Sequence, residues 1–126
     1  MPKHDIDLPK VLVVDDEDVL VDMLATIIDD LGYQPIKATN GKEAWALLSA
    51  RKPCPDLIIA DVMMPQMSGV ELARAVREEA SLRDVPIILM SAAGRPPGNH
   101  LADQFIHKPF DLDTLIDLIE RYVEKR

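Results

Sequence analysis

The sequence predicts an α/β protein: a parallel sheet with helices wound on both of its faces. Two observations predict it. Short runs of consecutive apolar residues alternate with longer stretches whose apolar residues recur at helical spacing. The short runs are apolar at successive positions, so strands made from them need cover on both faces. Strands of that kind alternating with helices form a doubly wound sheet, and right-handed crossovers leave few arrangements for it. The 126 residues suffice for one domain with a real core and are too few for two, so residues 1–126 read as a single domain, core about 10–123.

Lys10–Val14 is a β-branched run that ends at acids and reads as the first strand. Leu20, Leu24, Ile27, Ile28 and Leu31 then fall on one helical face, and Gly32 stops that helix. Gln34–Ala38 is the second strand. Thr39-Asn40-Gly41 forms a turn and cap before a helix marked by Ala44, Trp45, Leu47 and Leu48. Leu57–Ala60 is the third strand and ends at Asp61. Ser68 and Glu71, three apart, form a capping box that opens a helix through Leu72, Ala73 and Val76. Pro86–Met90 is the fourth strand, ending at Ser91, and Gln104–His107 is a short fifth, ending at Lys108-Pro109. A last helix starts near Asp111 and carries Leu112, Leu115, Ile116, Ile119, Tyr122 and Val123 on one stripe.

Composition narrows the function classes. A net charge of -8 argues against a basic face for nucleic acid. The single cysteine, Cys54, rules out an internal disulfide framework and reads as a loop or core thiol in a reducing compartment. No stretch is long and apolar enough to span a membrane, and the first residues lack the apolar core of a signal peptide. The reading is a cytoplasmic protein. His4, His100 and His107 have no metal-ligand spacing.

The strand ends carry the chemistry. Asp15-Asp16-Glu17-Asp18 follows the first strand, Asp61 the third, Ser91 the fourth and Lys108 the fifth. Parallel strands bring these ends to one edge, where sites form in such sheets. Carboxylates ~5 Å apart at an effective dielectric of about 20 repel by roughly 3 kcal/mol per pair. Such a cluster calls for a cation, and oxygen ligands with room for water suit Mg²⁺. An aspartate beside the ion can act as nucleophile and form an acyl phosphate. Lys108 would then pair with phosphoryl oxygens, and the Ser91 hydroxyl could donate to one. Glu17 and Asp18 read as cap and first turn of the helix rather than as ligands.

Residues 11–17 read Val-Leu-Val-Val-Asp-Asp-Glu, and Asp61–Gly69 reads Asp-Val-Met-Met-Pro-Gln-Met-Ser-Gly. With Ser91 at a strand end and Lys108-Pro109 beyond the last strand, the chain resembles the receiver domain of two-component response regulators, of the chemotaxis-regulator kind, from Lys10 to about Tyr122. The resemblance implies a flavodoxin-like five-stranded sheet of order 2-1-3-4-5. It implies Asp61 as the phosphoacceptor, with Asp16 and Asp61 ligating Mg²⁺ directly (Mn²⁺ could substitute). Asp15 would act mainly through water, and the backbone carbonyl of Met63 would complete the protein ligands. Ser91 would follow the phosphoryl group, Lys108 would grip it, and Phe105 would be the aromatic rotamer switch. Pro109 is a candidate for a cis bond that aims Lys108.

The function so implied is a phosphorylation-dependent switch, stand-alone or part of a larger regulator. It would be no enzyme in the ordinary sense, although it assists its own phosphorylation and dephosphorylation. Its partners would be a histidine kinase or histidine phosphotransfer protein and an output protein or domain, with no nucleic acid or membrane contact by this chain, as monomer or weak dimer. The alternative is a degenerate receiver serving as a phosphorylation-independent binding module, against which the intact acids, Ser91 and Lys108 count. A phosphatase of the aspartyl-phosphate type would need a second acid where Met63 stands. A flavin-binding protein would need a glycine- and hydroxyl-rich phosphate loop where four acids stand.

One segment departs from the family. Between Ser91 and the fifth strand only Ala92–Asp103 is available, and it contains Gly94, Pro96, Pro97 and Gly98. Each proline costs about 3 kcal/mol in a helix interior. The fourth helix of the family is therefore expected to be missing or reduced to a turn near Asn99–Ala102 in a mobile segment. Its loss leaves the effector face unusual.

Overall fold

A computed structural model describes residues 8–50, 54–93 and 101–124. The elements are β1 (Lys10–Val14), α1 (Asp18–Asp30), β2 (Gln34–Ala38), α2 (Gly41–Ser49), β3 (Leu57–Asp61), α3 (Gly69–Glu78), β4 (Ile87–Ser91), β5 (Gln104–His107) and α4 (Leu112–Glu124). The five strands form one sheet of order β2-β1-β3-β4-β5, and every pair is parallel. The sheet is doubly wound, as the alternating pattern predicts, and its order is the one that the family resemblance implies.

The period of two along each strand sorts the core into two layers. Leu12 and Val14, Ile58 and Ala60, and Ile87 and Leu89 face α2 and α3. Val11 and Val13, Leu57 and Ile59, and Ile88 and Met90 face α1 and α4. All twelve of these strand residues are essentially inaccessible to solvent. Burying each large aliphatic side chain contributes on the order of 2 kcal/mol, so this double-sided burial holds the sheet edge rigid under the site.

Local signals set the element ends. Gly32 ends α1 at φ +91°, a conformation that a side chain strains. Asn40 caps α2 by accepting the Glu43 N–H at 2.7 Å. Ser68 and Glu71 form a reciprocal capping box on α3. Asp111 caps α4, its Oδ2 accepting from the Thr114 N–H at 3.1 Å.

Among the described residues the chain passes from β4 to β5 with no helix between them. Asn99 and His100 lie outside the described residues, as do His4 and the stretch 94–98; Leu101 and Ala102 are not helical. Instead, Leu101, Ala102 and Phe105 pack against the α2–α3 layer, and a guanidinium ties the returning chain down. Arg77, on α3, donates from Nε to the Leu101 carbonyl at 3.1 Å and from Nη1 to the Val85 and Arg83 carbonyls at 2.6 and 2.9 Å. Its Nη2 donates to Asp103 Oδ2 at 2.7 Å, and that same oxygen accepts the Ile87 N–H at 2.8 Å.

Candidate functional site

Because all strands run parallel, Asp61 and Ser91, which end their strands, and Asp15 and Lys108, which follow theirs, meet at one edge of the sheet. Asp15 and Ser91 are fully buried and Asp61 nearly so, while Asp16 is exposed. Carboxylate oxygens of Asp15, Asp16 and Asp61 lie within 4.8 Å of one another. Lys108 points into this group: Nζ donates to Asp15 Oδ2 at 2.8 Å and lies 3.5 Å from Asp61 Oδ1.

The electrostatics follow from burial and crowding. Desolvation, then the neighbouring Asp15 carboxylate, push the Asp61 carboxyl up to about 6 against the opposing pull of Lys108. Burial also raises Asp15, although Lys108 and the Glu17 N–H stabilise its charge. Burial alone would lower Lys108; its hydrogen bond to Asp15 and the surrounding carboxylates outweigh that and hold it above the ordinary lysine value. Three acids around one ammonium leave an excess of negative charge. This all-oxygen donor set fits a hard divalent cation such as Mg²⁺.

The loop after Asp61 is shaped by its glycine. A Cβ on Gly69 would run into the Asp61 backbone carbonyl, and the Gly69 N–H donates to the Val62 carbonyl at 3.0 Å. The start of α3 is thereby packed directly under the aspartate. Gly41, at the start of α2, meets the Met67 carbonyl of the same loop in the same way. Within the same loop the Pro65 carbonyl accepts the Met67 N–H at 2.8 Å. Gln66, between them in sequence, adopts φ +71°. Met63 follows Asp61 by two residues with its side chain exposed.

Ser91 ends β4 with its Oγ accepting the Ala93 N–H at 3.0 Å, and its carbonyl accepts the Lys108 N–H at 2.9 Å. The residue carrying the ammonium is thus bonded through its backbone to the residue carrying the hydroxyl. The Lys108–Pro109 peptide bond is cis. Phe105 is half-buried on the α2–α3 layer, paired in register with Leu89, and belongs to the core rather than to the strand-end cluster. His107 is exposed at the end of β5.

Two sets of contacts carry no signal in the sequence. Glu17 stands at the N-cap of α1, but its side chain makes no cap hydrogen bond. Asp15 Oδ1 accepts the Glu17 N–H at 2.9 Å instead, and the Glu17 carboxylate turns to Lys108, with Oε1 3.2 Å from Nζ. Cap and first-turn duty therefore describes the Glu17 backbone, not its side chain. Arg77 is the second: its carbonyl partners come from loops, and nothing in a helical arginine announces them.

Residues 11–120 match the family model described as the response regulator receiver domain. The chain belongs to that family. Curated relatives of this receiver include the phosphate regulon transcriptional regulatory protein PhoB of Pseudomonas aeruginosa, 37% identical over 111 residues, covering 84% of this chain and 48% of the relative. They also include the polar-differentiation response regulator DivK of Brucella anthropi, 30% identical over 122 residues, covering 92% of this chain and 98% of the relative. The receiver thus spans about half the length of PhoB and nearly all of DivK. Among solved structures, the Francisella response regulator 1452 receiver domain superposes with a TM-score of 0.82 at 29% identity, covering 93% of this chain and 98% of that one. Receiver domains are signalling domains of two-component systems, not enzymes in the ordinary sense. No helix among the described residues of this one is long and apolar enough to cross a membrane.

Proposed function

We propose that this receiver accepts a phosphoryl group on Asp61 and thereby switches its binding to an output partner. The observation that carries the reading is the buried Asp61 carboxylate, grouped with Asp15 and Asp16 and 3.5 Å from the Lys108 ammonium. The donor would be a phosphohistidine of a histidine kinase or phosphotransfer protein. An Asp61 carboxylate oxygen attacks phosphorus, the P–N bond breaks with its electrons going to the imidazole, and an aspartyl phosphate remains.

The other residues divide the remaining work. Asp16, Asp61 and the Met63 carbonyl would hold Mg²⁺, with Asp15 acting through water and bracing Lys108. A bound Mg²⁺ supplies positive charge that offsets both the carboxylates and the incoming phosphoryl oxygens. Lys108 pairs with a phosphoryl oxygen. The Ser91 hydroxyl donates to another, a shift that trades against its bond with the Ala93 N–H. Phe105, on the same strand as the approach to Lys108, reports that shift to the surface. The change in partner binding would be read out through the 92–110 region.

The deciding experiment is incubation with acetyl phosphate and Mg²⁺ followed by intact-mass and peptide analysis. The expected result is one added phosphoryl group on Asp61, absent from Asp61→Asn. An unmodified wild-type chain would overturn the reading in favour of a constitutive binding module.

A further inference from the structure

Lys108 has three N–H donors and three carboxylate neighbours at unequal distances: Asp15 at 2.8 Å, Glu17 at 3.2 Å and Asp61 at 3.5 Å. The first two are short hydrogen bonds; the Asp61 contact is the longest and weakest of the three. In the resting site the ammonium therefore leans away from the residue that would carry the phosphate. The two partners that hold it are not equivalent. Asp15 is fully buried and is also fixed by the Glu17 N–H. The Glu17 side chain is 66% exposed and has no duty at the helix cap. It stands with Lys108 at the border of an open groove lined mainly by apolar side chains, so a released carboxylate turns to solvent rather than to a new protein partner there.

We propose that Glu17 is a positioning residue: it holds Lys108 in the unphosphorylated site and gives it up when a phosphoryl group on Asp61 offers a stronger anion. The proposal rests on the phosphoacceptor reading of Asp61. Releasing Asp15 would strand a buried carboxylate, which is costly. Releasing Glu17 only returns an exposed carboxylate to water, and an exposed pair is weak. Glu17 thus sets a modest threshold against anion capture by Lys108.

Beryllofluoride with Mg²⁺, a stable mimic of a phosphoryl group on aspartate, provides the readout by titration calorimetry. Glu17→Gln keeps the shape and removes the charge. Its expected effect is a beryllofluoride Kd about three- to fivefold tighter, the range of a surface ion pair. Asp18→Asn removes the same charge one residue along, from an exposed side chain, and is expected to shift Kd less than twofold. In a Lys108→Gln background the Glu17→Gln gain should vanish; should that background not fold, the Asp18 comparison decides alone. An unchanged Kd in Glu17→Gln, an equal shift in Asp18→Asn, or a gain that persists without Lys108 would overturn the proposal. A wild-type chain that takes up no beryllofluoride would overturn the phosphoacceptor reading and this proposal with it, whereas a wild-type chain that binds it and a Glu17→Gln that merely matches would sink the proposal alone.

Discussion

Lys108 sits closer to Asp15 than to Asp61: Nζ donates to Asp15 Oδ2 at 2.8 Å and lies 3.5 Å from Asp61 Oδ1. The pair is shielded from water, with Asp15 wholly buried and Lys108 13% exposed. The lysine of the site is therefore also the counter-charge that makes a buried acid tolerable.

Removing that counter-charge should be costly in a way that depends on pH. Lys108→Met should lose about 3 kcal/mol at pH 7.5, the scale for stranding a buried charge. The loss should shrink towards pH 5, where Asp15, already raised by burial, takes up a proton more readily. Urea midpoints at the two pH values measure both. An equal loss at each pH would show that packing, not charge, is at stake.

Asp61 predicts an inverted pH profile in the absence of divalent ions. Its folded value of about 6 lies above the ordinary aspartate value of 3.8. The stability linked to this shift is fully present below about pH 4 and is lost as pH rises through 6, by about 3 kcal/mol in all. Between pH 5 and pH 7.5 in EDTA the wild-type chain should weaken. Asp61→Asn should be flatter over the same interval, with only the raised Asp15 left to contribute, and the more stable of the two at pH 7.5. Chemical denaturation across that interval checks it.

A divalent cation should reverse that penalty. At about ten times Kd, Mg²⁺ should stabilise the fold by about 1.4 kcal/mol, raising Tm by roughly 5 °C for a domain of this size. Asp16→Ala should abolish most of the shift. Thermal melts at pH 7.5 with and without millimolar Mg²⁺ provide the comparison, and an undiminished shift in Asp16→Ala would argue against the carboxylate cluster as the binding site.

Arg77 should prove a stability residue that leaves the chemistry alone. Arg77→Met removes its bonds to the Leu101, Val85 and Arg83 carbonyls and to Asp103, and should cost about 2–3 kcal/mol. Arg77→Lys should recover little, because one ammonium cannot span partners arranged around three guanidinium nitrogens. Urea unfolding gives the cost. Hydrogen exchange should speed up first at the Ile87 and Asp103 amides, while acetyl phosphate labelling of Asp61 continues unchanged.

Much of this architecture was legible in the residues because local and global signals agreed. Leu57-Ile-Ile-Ala60 can only be a strand covered on both sides, and it is wholly buried. Ser68 and Glu71 announced a helix start, and both halves of the capping box form. The prolines at 96 and 97 argued against a helix after β4, and the described chain has none there. The site was legible as a set of strand ends, since topology alone brings Asp15, Asp61, Ser91 and Lys108 together. What did not follow was the choice among neighbours. Which of three acids holds Lys108 depends on distances of tenths of an ångström. The destination of the Arg77 guanidinium depends on loops whose path has no periodic signal. Gly41 looked like part of a turn, yet the position also has no room for a side chain against Met67.

The two ends of the β4–β5 connection are held from different elements. Ala93 is anchored to the Ser91 hydroxyl at the end of β4, and Leu101 to the Arg77 guanidinium on α3. A shift of the Ser91 hydroxyl towards the site would therefore loosen the departing end of the connection while its returning end stays tied to α3.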